Sequence, residues 1–425
     1  MGDTAGLDVD DPGVHRLEGE RLDLDGVLGE LLLTPDGRRD PYPRYATVRS
    51  AAPVHHSGLG FWVTSTYEDC QFVLRDPRFV KGDRDTLDES ALNDEEREAV
   101  AYFRNRPASM LFTNPPDHTR LRNLVSKAFT PRTVEQLRPH IVRLVDEILD
   151  GLGPGTVDIM TGLAFPLPVT VIGELLGIPA DDRLGFQARV RASTALLEVT
   201  ATGAELLAAR RAGEEMEAYF LALLAERRRH PGDDLLSALL AVEDGGDTLS
   251  EGELVATAIL LFAAGFETTT NLIGNGLLAL LRHPAELARL RADRALLRSG
   301  IEELLRYDSP VQLDGRTAAE DLRVAGHEVA AGSVVLTLLG SANRDPGRFA
   351  EPDRLDLGRD EGPPLSFGSG IHYCLGAALA RLEGQVTFDR LLDRFPVMEL
   401  VDATVDYRPS LTLRGLVALP VQLGV

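Results

Sequence analysis

The chain has 425 residues, with 44 Lys and Arg against 66 Asp and Glu, a formal net charge of −22. That balance excludes a general nucleic-acid binder, which needs a basic surface to meet phosphates. With 44% hydrophobic residues spread along its length, the chain can bury a sizeable core, so wholesale disorder is excluded too.

Residues 1–40 are polar and acidic and are expected to form a partly ordered lead-in. Asp3, Asp8, Asp10 and Asp11 stand where a signal peptide would need a basic and then an apolar stretch. Pro53 to Thr64 alternates through Val54, Phe61 and Val63 around Gly58-Leu59-Gly60, which predicts a β-hairpin. Residues 81–107 carry 13 charges in 27 positions and read as a solvated loop enclosing a short helix. Helical periodicity then dominates, over Val134–Leu152, Pro166–Leu176, Ala204–Arg229, Ser250–Arg282, Ala285–Leu297 and Gly300–Tyr307. The longest run opens with Ser250 and Glu253 in capping-box spacing and should stop near His283-Pro284. Its uncharged stretches on either side of Glu267 each fall short of the ~18 apolar residues of a spanning helix, so a soluble, cytoplasmic protein is expected. Residues 314–340, broken by Gly315, Gly326 and Gly332, predict a small sheet, and a last helix begins near Cys374. No repeat and no Gly/Ser-rich linker divides the chain, which reads as one mixed, mainly helical domain.

The two cysteines, Cys70 and Cys374, leave one disulfide possible but no framework. Cys374 lies in Phe367-Gly368-Ser369-Gly370-Ile371-His372-Tyr373-Cys374-Leu375-Gly376, a glycine-broken loop running into a helical pattern. A cysteine at a helix start is exposed to free N–H groups that favour thiolate over thiol. Gly376 removes a side chain where a flat, bulky group could lie. The alternatives are a thiolate metal ligand, a reactive nucleophile, or an inert buried cysteine. Three glycines at fixed places in ten residues are expected about once in 3,000 starts at a usage of about 7%, so coincidence is a poor account of this loop.

The string resembles the haem-binding signature of the cytochrome P450 family, F-G-x-G-x-H/R-x-C-x-G, at every fixed position. The resemblance implies a mainly α fold with small β-sheets, a single domain from 41 to 425 shaped as a triangular prism, with a long central helix over the haem. It makes Cys374 the thiolate ligand of the iron of haem b (heme b) and gives His372 to a haem propionate. Phe367, Gly368, Gly376 and Ala264 belong to the same cofactor surface. Other segments agree in order and spacing. Glu303-Leu304-Leu305-Arg306 is the family's E-x-x-R, an ion pair on one helix face, and Arg354 in Pro352-Asp353-Arg354-Leu355 is matched to its third, structural member. His118 and Arg122, four apart, are assigned to propionates, as is Arg316. Ala264-Gly265-Phe266-Glu267-Thr268-Thr269 resembles the acid–alcohol segment, with Gly265 opening a groove for dioxygen, Thr268 donating to it and Glu267 feeding protons. The plain reading of the same residues is that Thr268 bonds back to a carbonyl and Glu267 finds a buried partner.

The implied activity is a monooxygenase of the soluble bacterial, actinomycete-like type, acting on a lipophilic small molecule in secondary-metabolite tailoring. Leu261, Ala264, Val311, Leu313 and Leu411 are expected in its pocket. Electrons would come from a ferredoxin and its reductase, docking on a basic patch for which Arg120, Lys127 and Arg132 are candidates. A monomer with no nucleic-acid or membrane partner is expected. The rivals are a peroxide-driven relative, against which Glu267-Thr268 argues, and a non-enzymatic auxiliary protein, against which the intact cysteine loop argues.

Overall fold

The axis of the fold is the helix Glu251–Arg282, and the capping box starts it as the spacing predicts. Glu253 N–H donates to Ser250 Oγ at 3.3 Å and Ser250 N–H to Glu253 Oε2 at 2.8 Å. It ends at His283, ahead of Pro284. By length and composition this helix is apolar enough to cross a membrane, but Phe262, Phe266, Ile273 and Leu277 are fully buried inside the protein. The computed structural model describes residues 14–17, 20–82, 93–198, 201–243 and 246–424.

Other helices close on this axis from two sides. Pro166–Leu175 meets it at Gly265, where a Cβ would stand 2.8 Å from Ile172 Cγ1. The missing side chain therefore admits Ile172, which corrects the expectation that Gly265 opens a groove for dioxygen. Ala377–Arg394 and Leu297–Tyr307 meet the axis at Gly276, with Phe388 and Leu304 in the space a side chain would take.

Two predicted helices are divided. Val134–Leu152 is Pro131–Gln136 followed by Arg138–Leu152, since Pro139 cannot donate to the preceding turn and its ring crowds the carbonyl there. Ala285–Leu297 stops at Ala292. Asp293 is extended and its side chain accepts from Ala295 N–H at 2.9 Å, starting a separate short turn. In the charged stretch 81–107 the expected short helix is Asp94–Arg104, opened by an Asn93–Glu96 capping box; residues 83–92 lie outside the described residues.

The predicted hairpin, Val54–His56 with Trp62–Thr64, is the edge of a five-stranded sheet. Val334–Thr337 pairs with Trp62–Thr64 in parallel, then Asp314–Ala318 and Phe79–Val80 follow antiparallel. Within the lead-in, the helix Leu24–Leu33 buries Leu28, Leu31 and Leu32 against Tyr45, Val63, Leu313 and Leu411. Cys70 is buried and both cysteines are free.

The E-x-x-R pair is fully enclosed. Arg306 Nε and Nη2 donate to the two Glu303 oxygens at 2.7 and 2.9 Å. The third arginine is Arg359, whose Nε donates to Glu303 Oε2 at 3.1 Å. Arg354 is exposed, pairs with Glu351 at 2.6 Å, and offers Arg306 only its backbone carbonyl. The Arg354 assignment is thus corrected, because the chain turns its side chain outward and the next arginine reaches in.

Glu383 in the helix Ala377–Arg394 is 1% exposed, and its Oε2 has no hydrogen-bond partner. Burial alone holds this carboxyl well above the ordinary carboxylate range. The folded chain then keeps a proton that the unfolded chain releases above about pH 4.3, so this residue makes stability fall as pH rises past that point. Glu383→Gln is expected to raise the melting temperature by a few degrees at pH 8 and to change it little at pH 4, as read by thermal melts at both.

Candidate functional site

The sheet assembles one wall of the site. Asp314 and Arg316 alternate onto one face of their strand, and Arg316 Nη1 reaches Asp314 Oδ2 at 2.8 Å. Lys81, just past the strand Phe79–Val80, places Nζ 2.6 Å from the other Asp314 oxygen. Asn114 ties that strand end to the segment before His118, accepting from Lys81 N–H at 2.8 Å and donating to Lys81 O at 3.0 Å. The helix Asp117–Ala128 then carries His118 and Arg122 on one face.

The cysteine loop forms the opposite wall. Gly368 and Gly370 both take positive φ, +68° and +71°, and Gly370 also passes against the Leu74 carbonyl, which a Cβ would overlap. Gly370→Ala is expected to destabilise the protein by about 1–3 kcal/mol, checked by urea unfolding of the purified chain. Cys374 lies ahead of the helix Ala377–Arg394, three residues before its first turn, and its N–H donates to Phe367 O at 3.0 Å. Burial pushes its thiol up, opposed by the N–H groups of Gly376 and Ala377 and by the Arg122 and Arg381 guanidiniums. Nothing but that sulfur, at 3.9 Å, lies near a Cβ placed on Gly376. Phe367 stacks under the Arg381 guanidinium at 4.4 Å, and Arg122 Nη2 donates to Tyr373 O at 2.6 Å.

Between the walls His118 and His372 face each other, ring centroids 4.3 Å apart. Burial, then Arg316, Lys81 and His118, push His372 down to about 3, only partly offset by Asp314. Burial and Arg122 lower His118 too. With both rings neutral, Lys81, Arg122 and Arg316 supply three positive charges and Asp314 one negative, an excess of two. Both ring nitrogens of His118 and Nη2 of Arg316 are buried donors or acceptors without a partner. A flat group carrying two carboxylates beside a thiolate-bound metal fits this donor set. Lys81 is the member that sequence reasoning missed, being one lysine in a charge-dense stretch.

The central helix turns a stripe of Leu261, Ala264 and Thr268 toward open space, with Ala264 exposed although Phe262, Phe266 and Glu267 around it are buried. Thr268 Oγ donates to Ala264 O at 3.0 Å, and Thr269 Oγ to Gly265 O at 3.3 Å. Glu267 pairs with Arg408, another residue missed in the sequence, where 141 positions separate the two. Val311 is half-buried and bridges Leu413. Leu313 and Leu411 are 3% and 4% exposed within the cluster under the first helices, a correction to their expected place in the pocket, since their apolar surface is spent on that packing. Of the expected docking cations, Arg120 is held by Glu253 and Asp247 and Lys127 donates to Glu243 O at 3.2 Å. Arg120 is therefore withdrawn from the basic patch, while Arg132 is exposed.

A thiol beside a cradle with an excess of two positive charges can hold a flat dianionic group through a sulfur ligand. The family model described as Cytochrome P450 matches residues 206–422. Cytochrome P450 107B1 of Saccharopolyspora erythraea is 44% identical over 410 residues, 94% of this chain and 99% of that protein. The polyketide biosynthesis cytochrome P450 PksS of Bacillus subtilis is 39% identical over 412 residues, covering 93% and 100%. Among solved structures, P450BioI in complex with an acyl carrier protein ligated to hexadec-9Z-enoic acid superposes with a TM-score of 0.84 at 38% identity, covering 92% and 100%. The chain belongs to the cytochrome P450 family. It is a haem-thiolate monooxygenase of the soluble bacterial type, using a small-molecule substrate, O2 and a redox partner, and the auxiliary reading is not favoured.

Proposed function

We propose that this monooxygenase hydroxylates or epoxidises a lipophilic small molecule in the tailoring of a polyketide, terpenoid or peptide secondary metabolite. The observation that carries the site reading is the orphaned His118 and Arg316 donors in a pocket with an excess of two positive charges, next to the Cys374 sulfur. In this reading Cys374 would supply the thiolate that binds the iron, and His118, Arg122, Arg316 and His372, joined by Lys81, would hold the two propionates. The bound haem supplies oxygen activation. Leu261 and Ala264 shape the substrate side, Thr268 fixes a hydroxyl beside it, and Glu267 stands one residue away as the proton source. The apolar stripe supports a lipophilic substrate, and the polyketide role in one relative's name supports the pathway class. A ferredoxin and its reductase serve as electron donors to a cytoplasmic monomer.

The test is the reduced, CO-bound difference spectrum of the purified protein. Wild type is expected to show the strongly red-shifted Soret band of a thiolate ligand, and Cys374→Ser to lose it. An unshifted wild-type band, or a Cys374→Ser spectrum like wild type, would sink the ligand assignment.

A further inference from the structure

The helix Gln187–Ser193 follows Phe186, whose ring centre stands 5.2 Å from that of Phe262 on the central helix. Val190, one turn on, is buried in the same core. The residue after it, Arg191, differs from its neighbouring arginines. Arg183 pairs with Glu174 at 3.0 Å and Arg189 with Glu215 at 2.5 Å. The Arg191 guanidinium is in no hydrogen bond or ion pair among the described residues. It is exposed, yet burial lowers it, as does Arg408, and Glu267 offsets part of that. A side chain is both open to solvent and closed in by protein where it lines a void inside the fold. Ala264 is exposed in the same way, between buried Phe262, Phe266 and Glu267. Arg191 and Glu267 each lie five residues past the Phe186–Phe262 contact and still act on one another. The two segments therefore run side by side, and Arg191 opens into the void that Leu261, Ala264 and Thr268 face.

Glu267 does not serve as the missing partner. It is 3% exposed and already held by Arg408, so two guanidiniums stand near one carboxylate and one positive charge is uncompensated. We propose that Arg191 binds a carboxylate of the substrate, which makes the substrate a lipophilic acid whose apolar remainder lies along Leu261 and Ala264. The proposal deepens the monooxygenase reading and rests on it. A carboxylate can accept from two N–H groups of one guanidinium at once, which a neutral ester oxygen does not reproduce. In a void walled by protein the attraction exceeds that of an arginine on the outer surface. Arg408 adds to it from behind without releasing Glu267. Anchoring the charged end also fixes which part of the molecule lies beside Thr268, so one position of oxidation should dominate.

The experiment titrates the haem-loaded enzyme by calorimetry with dodecanoic acid and with methyl dodecanoate, which share the apolar chain and differ in charge. Wild type, Arg191→Ala, Arg191→Lys and Arg189→Ala are compared, and the reduced, CO-bound spectrum of each preparation is recorded. Wild type is expected to bind the acid about tenfold more tightly than the ester, the equivalent of one hydrogen bond to a charged group. Raising the salt from about 0.05 to 0.5 M should shrink that preference. Arg191→Ala should abolish it without disturbing the fold, because the side chain holds no partner. Arg191→Lys should keep part of it, a point charge without the planar fork, and Arg189→Ala should keep all of it. A wild type that does not bind the acid or does not prefer it, or an Arg191→Ala variant that keeps the preference, overturns the carboxylate site. If the wild-type CO band is then red-shifted, the monooxygenase reading still stands. A wild type without that band removes the reading itself, and the proposal with it.

Discussion

Arg306→Ala is expected to cost about 3–5 kcal/mol of stability, the usual consequence of breaking a buried ion pair by removing one partner. The side chain is 1% exposed and every donor on it is used. Besides the two bonds to Glu303, Nη1 donates to Asn343 O at 2.8 Å and Pro352 O at 2.7 Å, and Nη2 to Arg354 O at 3.3 Å. The guanidinium also lies 5.3 Å from the centre of the Phe349 ring. One residue thus pins the helix Leu297–Tyr307 to the loop that leads to the cysteine, and its loss leaves a carboxylate and three carbonyls short of donors. Arg359→Ala should come next in cost, since Arg359 still binds Glu303 and also donates to Ala350 O at 2.6 Å. Arg354→Ala, a surface pair, should change stability by less than about 1 kcal/mol. Urea unfolding of the three variants checks the order, and an Arg354 variant as damaged as the Arg359 variant would return Arg354 to the triad.

That ordering also marks what a sequence can and cannot disclose. Glu303 and Arg306 are three apart on one helix, so local geometry alone pairs them. Arg354 and Arg359 flank the same short loop, and only the path of the backbone decides which one turns inward. The same division holds at the site. The cysteine loop was legible because positive φ at Gly368 and Gly370 and the N–H groups after Cys374 are local consequences of residue order. The central helix was legible from Ser250, Glu253 and Pro284. Arg408 was not, since its partner stands far away in the chain and nothing in its own neighbourhood, Asp406-Tyr407-Arg408-Pro409, signals a buried role. Gly265 was misjudged for a related reason. A glycine in a helix shows that something comes close, but which neighbour does so, here Ile172, is a property of packing.

Arg316→Ala is expected to weaken haem retention about 10- to 150-fold, the equivalent of one hydrogen bond to a charged group. Arg316 is 3% exposed, commits Nη1 to Asp314 and to Gly315 O at 2.8 Å, and leaves Nη2 buried and free to donate. Removing it also lowers the local excess of positive charge from two to one, so two propionates would meet a single uncompensated cation. Arg316→Lys keeps the charge but cannot bond Asp314 and a propionate together from one planar fork, so it should recover only part of the loss. The fold should survive, because Lys81 still pairs with Asp314 across the two strands. The measurement is the rate of haem transfer to an excess of apomyoglobin, followed at the Soret band, with circular dichroism to verify the fold. Arg122→Ala should show a smaller effect, since its guanidinium is only half-buried and already donates to Tyr373 O. Wild-type retention in Arg316→Ala, with the fold intact, would mean that the orphaned donor faces something other than a propionate.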